Sequence, residues 1–251
     1  GQDVPRAVKL LTLIVELREL DVSEFGPAKS ITHKALCLLA EVLEALVDPF
    51  TNPNMDLGDQ IESLSKFAHL ICSLFIKNST SFMPNQLYGD LQAMVKNAVF
   101  TVARHLNLDP EMEVFICLLG DDVLETFFGR VRMIGGHSPN CNLYELRYRM
   151  AAAKNVDAIF RRHPEWEKRP RRLKLFRGRD CDHLSPGHWN GRVQAKYCDL
   201  QKRWDSGRDN AIKSKTGPSA TDGDQYVHLN EKMLRGTSLI IPSDGLGTRF
   251  T

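Results

Sequence analysis

Glu125 has the clearest potential for chemistry in this sequence. It lies in "GDDVLETFFGRVRMIGG" (residues 120–136), directly after the apolar run "VFICLL". One interpretation makes Asp122 a helix N-cap and Glu125 the third helical residue, which bonds back to the N–H of the cap and meets the positive end of the helix dipole. The other makes Glu125 a ligand of magnesium, which prefers carboxylate oxygens. A two-metal site needs several such groups, so Glu125 cannot form one alone.

A basic run between residues 161 and 179 is the second chemical feature, and Trp166 and Phe176 are interleaved in it. Arginine makes bidentate bonds to phosphate and aromatic rings stack on bases, so the run predicts a nucleic-acid contact. A nuclear import signal and a solvated surface are the open alternatives. Arg147 and Arg149 would widen the same positive surface. The predicted nucleic-acid-binding residues are Arg130, Arg132, Arg161, Arg162, Lys168, Arg169, Arg171, Arg172, Lys174, Arg177 and Arg179.

The stretch "DCDHLSPGHWNG" (residues 180–191) gathers side chains that could bind zinc or form an HNH-type nuclease site. A closed zinc site needs four ligands at recognisable spacing, and no second pair follows this stretch. The favoured interpretation is therefore a turn fixed by Pro186 and Trp189. The potential ligands are Cys181, Asp182, His183 and His188.

Composition and charge set the broad class. The 251 residues are 42% hydrophobic, which is enough apolar material for a core. Through Phe127 the chain holds 9 Lys/Arg and 18 Asp/Glu, and from Phe128 onward 24 and 13, so its second part suits a polyanionic partner. Because no long uncharged apolar stretch or secretion signal is present, we expect no membrane partner and reduced intracellular thiols. The chain begins with Gly rather than Met, and we expect it to be part of a longer protein.

Apolar side chains recur every three to four residues in six segments, which predicts six helices. The sequence "EVFICLLG" (residues 113–120) favours a buried strand, although periodicity alone does not exclude a helix. Residues 205–223 are polar and predict a flexible tail. The predicted helices cover residues 4–20, 31–46 (capped by Ser30), 57–76 (capped by Asp56), 86–107, 122 to the Gly135–Gly136 pair, and 142–160.

The stretch around Glu125 resembles the C-terminal motif of P-element-type transposases, D-x-L-E-x-x-F-G-x-[IV]-R-x-x-G-G. Fungal transposon-derived proteins contain stretches similar to "DLGDQIESLSKFAHLICSLF", "FMPNQLYGDLQAMVKNAVF", "HPEWEKRPRRLKLF" and "DHLSPGHWNG", which together span about residues 56–191. The residues that match the motif are Asp122, Leu124, Glu125, Phe128, Gly129, Val131, Arg132, Gly135 and Gly136.

This resemblance implies a fold and a chemistry. The expected fold class is mainly α: a helical insertion-like domain (1–110), a C-terminal segment of an RNase H-like α/β domain with the Glu125 helix (111–162), a basic arm (163–204) and a flexible tail (205–251). Glu125 would be the third catalytic acid and a ligand of Mg²⁺ in DNA strand cleavage and transfer. The resemblance also implies a nuclear location, DNA as partner and GTP binding by the insertion. It leaves homo-oligomers open.

The resemblance also limits the expected activity. Two further aspartates should lie on earlier strands, but Asp3 precedes a helix and fits neither role. We therefore expect DNA binding without catalysis by this chain alone. No G-x-x-x-x-G-K-[ST] loop is present, so no GTP-binding residue is assigned. The alternative is a non-enzymatic helical interaction module or a domesticated transposon relic.

Overall fold

The computed structural model describes residues 4–21, 26–136, 140–166 and 189–214. Across these ranges the chain is mainly helical, so the mainly α fold class is confirmed for them. Among the same residues, no helix is long and apolar enough to cross a membrane. The described α-helices are α1 (Val4–Glu16), α2 (Pro27–Thr51), α3 (Leu57–Asn78), α4 (Asn85–Leu108), α5 (Asp122–Ile134), α6 (Leu143–Arg162) and α7 (Leu200–Ile212).

Helix α3 is the centre of the fold. Its apolar side repeats every three to four residues, as a helix that buries one face requires. Helices α2, α4 and α7 pack around α3, and α1 packs on α2. Helices α5 and α6 pack on each other as a hairpin. The core residues of α3 that are at most 1% exposed are Leu57, Ile61, Leu64, Phe67 and Ile71.

Helix α2 continues through Pro49, where the sequence predicts a break. A proline inside a helix has no N–H, so the carbonyl of the residue four positions earlier loses its partner. Here that carbonyl belongs to Ala45, and the Ser63 hydroxyl of α3 donates a hydrogen bond to it at 3.1 Å. A tertiary contact therefore supplies the bond that the proline removes, and Pro49 itself is buried.

Helix α7 lies where the sequence predicts the end of a basic arm and the start of a flexible tail. Positions 205–212 are helical and pack on α3, so the tail prediction is wrong for these residues. The Asp199 side chain caps the helix by accepting from the Lys202 N–H at 3.1 Å. The sequence does not predict this helix because its buried side has only two large residues, Leu200 and Trp204, followed by the small residues Gly207 and Ala211, rather than a row of aliphatic side chains.

The segment before α7 also lies on the helical core instead of extending away from it as an arm. The Val114 N–H donates to the Val193 carbonyl at 2.9 Å, and the Ala195 N–H donates to the Met112 carbonyl at 3.2 Å. Between these bonds, Glu113 and Gln194 form one isolated antiparallel bridge. The segment "EVFICLLG" thus contributes this bridge and a short 3-10 helix, Ile116–Leu118, rather than the expected strand.

Candidate functional site

Glu125 lies in the first turn of α5 and is exposed. The N-cap of α5 is Asp121, not Asp122, and its side chain makes no capping hydrogen bond. The Glu125 N–H donates to the Asp121 carbonyl at 2.8 Å, as in any helix start. No hydrogen bond or ion pair joins the Glu125 carboxylate to a described side chain. The described contacts therefore leave this carboxylate uncommitted.

The surroundings of Glu125 do not form a metal site by themselves. In residues 4–21, 26–136, 140–166 and 189–214, no group of three or more His, Cys, Asp or Glu side chains is placed to hold a metal ion. The same residues contain no sheet beside α5. The described residues therefore do not fit the magnesium site that the resemblance implies, and any such site needs acids from elsewhere.

Two of the predicted basic residues are structural. Arg130 is 7% exposed, forms an ion pair with Asp157 of α6, and lies over the Phe160 ring with its guanidinium carbon 5.4 Å from the ring centroid. Arg149 is equally buried and pairs with Glu145. The structure therefore assigns Arg130 and Arg149 to the α5–α6 interface rather than to a nucleic-acid surface.

Three predicted basic residues of the hairpin are exposed. Arg132 is near the end of α5, and Arg161 and Arg162 are in the last turn of α6. Arg161 makes an exposed ion pair with Asp157 at 2.7 Å, which is easily exchanged for a phosphate because exposed pairs are weak. The Arg162 Nε donates to the Ala158 carbonyl at 3.2 Å and leaves its other nitrogens for a ligand. Together with the exposed Arg147, these three arginines are the accessible members of the predicted nucleic-acid surface among the described residues.

The rest of the predicted site lies outside the described residues. This holds for the basic residues Lys168, Arg169, Arg171, Arg172, Lys174, Arg177 and Arg179, and for the potential metal ligands Cys181, Asp182, His183 and His188.

The end of the "DHLSPGHWNG" stretch is described, and it has a structural role. The Trp189 Nε1 donates to the Met55 carbonyl at 2.9 Å. Gly191 lies so close to the same carbonyl that a Cβ there would overlap it. Next to it, Arg192 donates to the Asp56 carboxylate from its backbone N–H at 2.7 Å and from its guanidinium. These donors hold the pKa of Asp56 below its usual value. Two of the stretches that carry the resemblance therefore pack on each other.

Sequence reasoning missed a feature on α6. Tyr144 and Tyr148 are 70% and 60% exposed, and their ring centroids are 4.9 Å apart in an edge-to-face arrangement. Their spacing of four residues on a helix was visible in the sequence, but such spacing is equally typical of core residues. Only the tertiary structure shows that both rings face solvent.

Comparison of the chain with protein-family models, with curated proteins and with solved structures found no match.

Proposed function

We propose that this chain is the C-terminal part of a transposase-like DNA-binding protein and contributes Glu125 as the third acidic residue of a DNA strand cleavage and transfer site. The observation that supports this proposal is the uncommitted, exposed carboxylate of Glu125 in the first turn of α5, at the position that the transposase motif reserves for the acid. In this proposal the hairpin belongs to an RNase H-like domain that other residues complete.

The chain alone is proposed to bind DNA without cutting it. Arg132, Arg161 and Arg162 are exposed on the hairpin and would contact phosphates together with the basic run that follows. Mg²⁺ would supply charge stabilisation in a completed site, and Glu125 is the one ligand this chain would contribute. The described residues contain no group of three acids placed to hold a metal ion, so no catalytic step is proposed for them.

A salt titration tests the proposal. The complete chain is mixed with a labelled DNA duplex, and fluorescence anisotropy is measured between about 50 and 200 mM salt. Affinity should fall steeply, and Arg132→Gln, Arg161→Gln or Arg162→Gln should each lower the salt slope by about 1. Arg104→Gln on α4, an exposed arginine of another helix, is the matched control and should have a smaller effect. Affinity that does not change with salt contradicts the proposal.

The other properties implied by the resemblance remain proposals. They are a nuclear location, assembly with a second copy and GTP binding. A cavity of about 230 Å³ between Phe115, Trp189 and Tyr197 is smaller than ligand pockets of about 300–1,000 Å³. No GTP-binding residue is proposed, because the sequence contains no G-x-x-x-x-G-K-[ST] loop.

A protein-interaction module is the second candidate, because the hairpin exposes large apolar side chains. Leu124, Phe128 and Met133 of α5 are 58%, 49% and 57% exposed. Clusters of this kind mark interaction surfaces in soluble proteins. Sedimentation of the chain over a range of concentrations separates the candidates: self-association that Leu124→Ser and Phe128→Ser abolish, without any DNA binding, favours the interaction module.

A further inference from the structure

One side of α6 is exposed along its whole length. We call it the outer face of α6; it faces away from the interface with α5. An α-helix has 3.6 residues per turn, so Tyr144 and Arg162, eighteen residues apart, lie on one line along the helix. The line is about 27 Å long at 1.5 Å per residue. The residues of the outer face are Tyr144, Arg147, Tyr148, Ala151, Asn155, Ala158 and Arg162, and all are exposed.

The outer face of α6 carries positive charge and no carboxylate. The two acidic residues of α6, Glu145 and Asp157, lie off this face. Both are engaged elsewhere, Glu145 with Arg149 and Asp157 with Arg130. Arg147 and Arg162 are therefore the charges that a ligand on the outer face would meet. Such a face suits an anionic ligand.

The aromatic pair narrows the choice of ligand. The hydroxyl oxygens of Tyr144 and Tyr148 lie 3.0 Å apart, within hydrogen-bond distance, so the two rings are side by side on the helix. Neither ring is buried in a core, so the pair contributes little to folding, and each offers surface to a ligand. Rings of this kind in a basic surface stack on nucleic-acid bases. Beyond the pair, Ala151 and Ala158 have small side chains, so a ligand backbone can approach the helix closely.

We propose that the outer face of α6 binds single-stranded DNA, with bases stacked on Tyr144 and Tyr148 and phosphates bound by Arg147 and Arg162. This inference rests on the DNA binding proposed above and names the form of DNA. In a duplex the faces of the bases are covered by their neighbours, so a duplex would engage the arginines alone. An unpaired strand engages the rings and the arginines together.

The experiment compares two forms of DNA with the complete chain. The probes are a fluorescein-labelled poly(dT) of about 15 nucleotides and a labelled hairpin duplex with the same number of phosphates. The double variant Tyr144→Leu/Tyr148→Leu should weaken poly(dT) binding about tenfold or more and change duplex binding less than about twofold. The variant Tyr144→Phe/Tyr148→Phe keeps both rings and should keep the affinity. Circular dichroism checks that each variant is folded.

Two controls test the assignment of the site. Arg147→Gln/Arg162→Gln should lower the salt slope of poly(dT) binding by about 1.4, since each phosphate contact to a single strand contributes about 0.7. Phe100→Leu removes an exposed ring from α4 and should leave poly(dT) binding unchanged.

Four results would overturn the inference alone and leave the proposed DNA binding standing. The first is an equal loss of duplex and poly(dT) binding in the tyrosine double variant, and the second is no loss of either. The third is an equal loss in Phe100→Leu, which would place the strand on α4. The fourth is strong duplex binding without poly(dT) binding, which leaves the proposed DNA-binding function standing. If neither probe binds, the proposed function and this inference both fail.

Discussion

The α3–α7 pair and the α5–α6 pair both join two helices through arginine–carboxylate contacts, yet they differ in what they leave exposed. At the α3–α7 contact, Glu62 accepts hydrogen bonds from Arg203 at 2.9 Å, from Ser206 at 2.8 Å and from Asn210 at 2.8 Å. The Ser65 hydroxyl donates to the Trp204 carbonyl at 2.6 Å. In the α5–α6 hairpin, Arg130 and Arg149 are buried, while most of the large apolar side chains face solvent.

This difference predicts that the residues around α3 determine stability and that the surface residues of the α5–α6 hairpin determine binding. Around α3 the apolar side chains leave water on folding, which is the main favourable contribution to stability. In the hairpin, the same kinds of side chain gain little from folding and are free to gain from a ligand. We therefore expect substitutions around α3 to change the free energy of unfolding, and substitutions on the hairpin surface to change binding.

Two phenylalanines give the largest expected contrast. Phe67 is 1% exposed in the core, whereas Phe128 of α5 is 49% exposed. Phe67→Ala should lower the free energy of unfolding by about 3–5 kcal/mol, because it leaves a cavity. Phe128→Ala should change it by less than about 0.5 kcal/mol. Urea titration followed by circular dichroism measures both, and similar losses in the two variants would show that the hairpin surface is part of the folding core.

Two glycines give the next contrast. A Cβ at Gly207 would overlap the Glu62 carbonyl of α3, whereas a Cβ at Gly129 of α5 would meet nothing within 4 Å. Gly207→Ala should lower the free energy of unfolding by about 2 kcal/mol, since overpacking outweighs the gain in helix propensity. Gly129→Ala should raise it by up to about 1 kcal/mol, because alanine favours the helix. The thermal midpoints of the two variants should shift in opposite directions, and shifts in the same direction would refute this account of the α3–α7 contact.

Two arginines of α5 test the distinction between buried and exposed charges in the hairpin. Arg130→Gln removes the buried positive charge that pairs with the Asp157 carboxylate. It should therefore lower the free energy of unfolding by about 1–2 kcal/mol. Arg132→Gln should leave stability unchanged and reduce DNA affinity and its salt slope. The measurements are urea titration and anisotropy on the same samples. A large loss of stability in Arg132→Gln, or none in Arg130→Gln, would reverse the assignment of the two residues.

The pH dependence of the core gives the smallest effect. Burial against Trp204 lowers the pKa of His69 from its ordinary 6.5, more than its hydrogen bond to the Ser65 carbonyl raises it. The unfolded chain therefore binds the proton more readily. The contribution of the neutral His69 side chain to the free energy of unfolding is fully present above pH 6.5. It is lost as the pH falls from there through the lowered pKa of the folded state. Hydrogen exchange should show protection in α3 and α7 declining on acidification, and His69→Gln should weaken that decline.

The six helices predicted from the sequence are those whose contact sides are made of large apolar residues. Their period of three to four residues is a local property, so the prediction needs no partner. Helix α7 lacks this signal because the second half of its contact side consists of the small residues Gly207 and Ala211, and a glycine in a polar stretch is typical of a turn. The continuation of α2 through Pro49 depended on the Ser63 hydroxyl, which is distant in sequence and invisible to a local pattern.

The same limit applies to the candidate site. The sequence by itself determined that the chain is mainly helical, that its second part is basic and that Glu125 lies in the first turn of a helix, because composition, hydrogen bonding and side-chain periodicity within one segment set these properties. Arg130, Arg132, Arg147 and Arg149 are alike in sequence, and only tertiary packing buried two and exposed two. The reason is physical: whether a charge is free for a ligand depends on which carboxylate another helix brings to it, and no local pattern contains that contact.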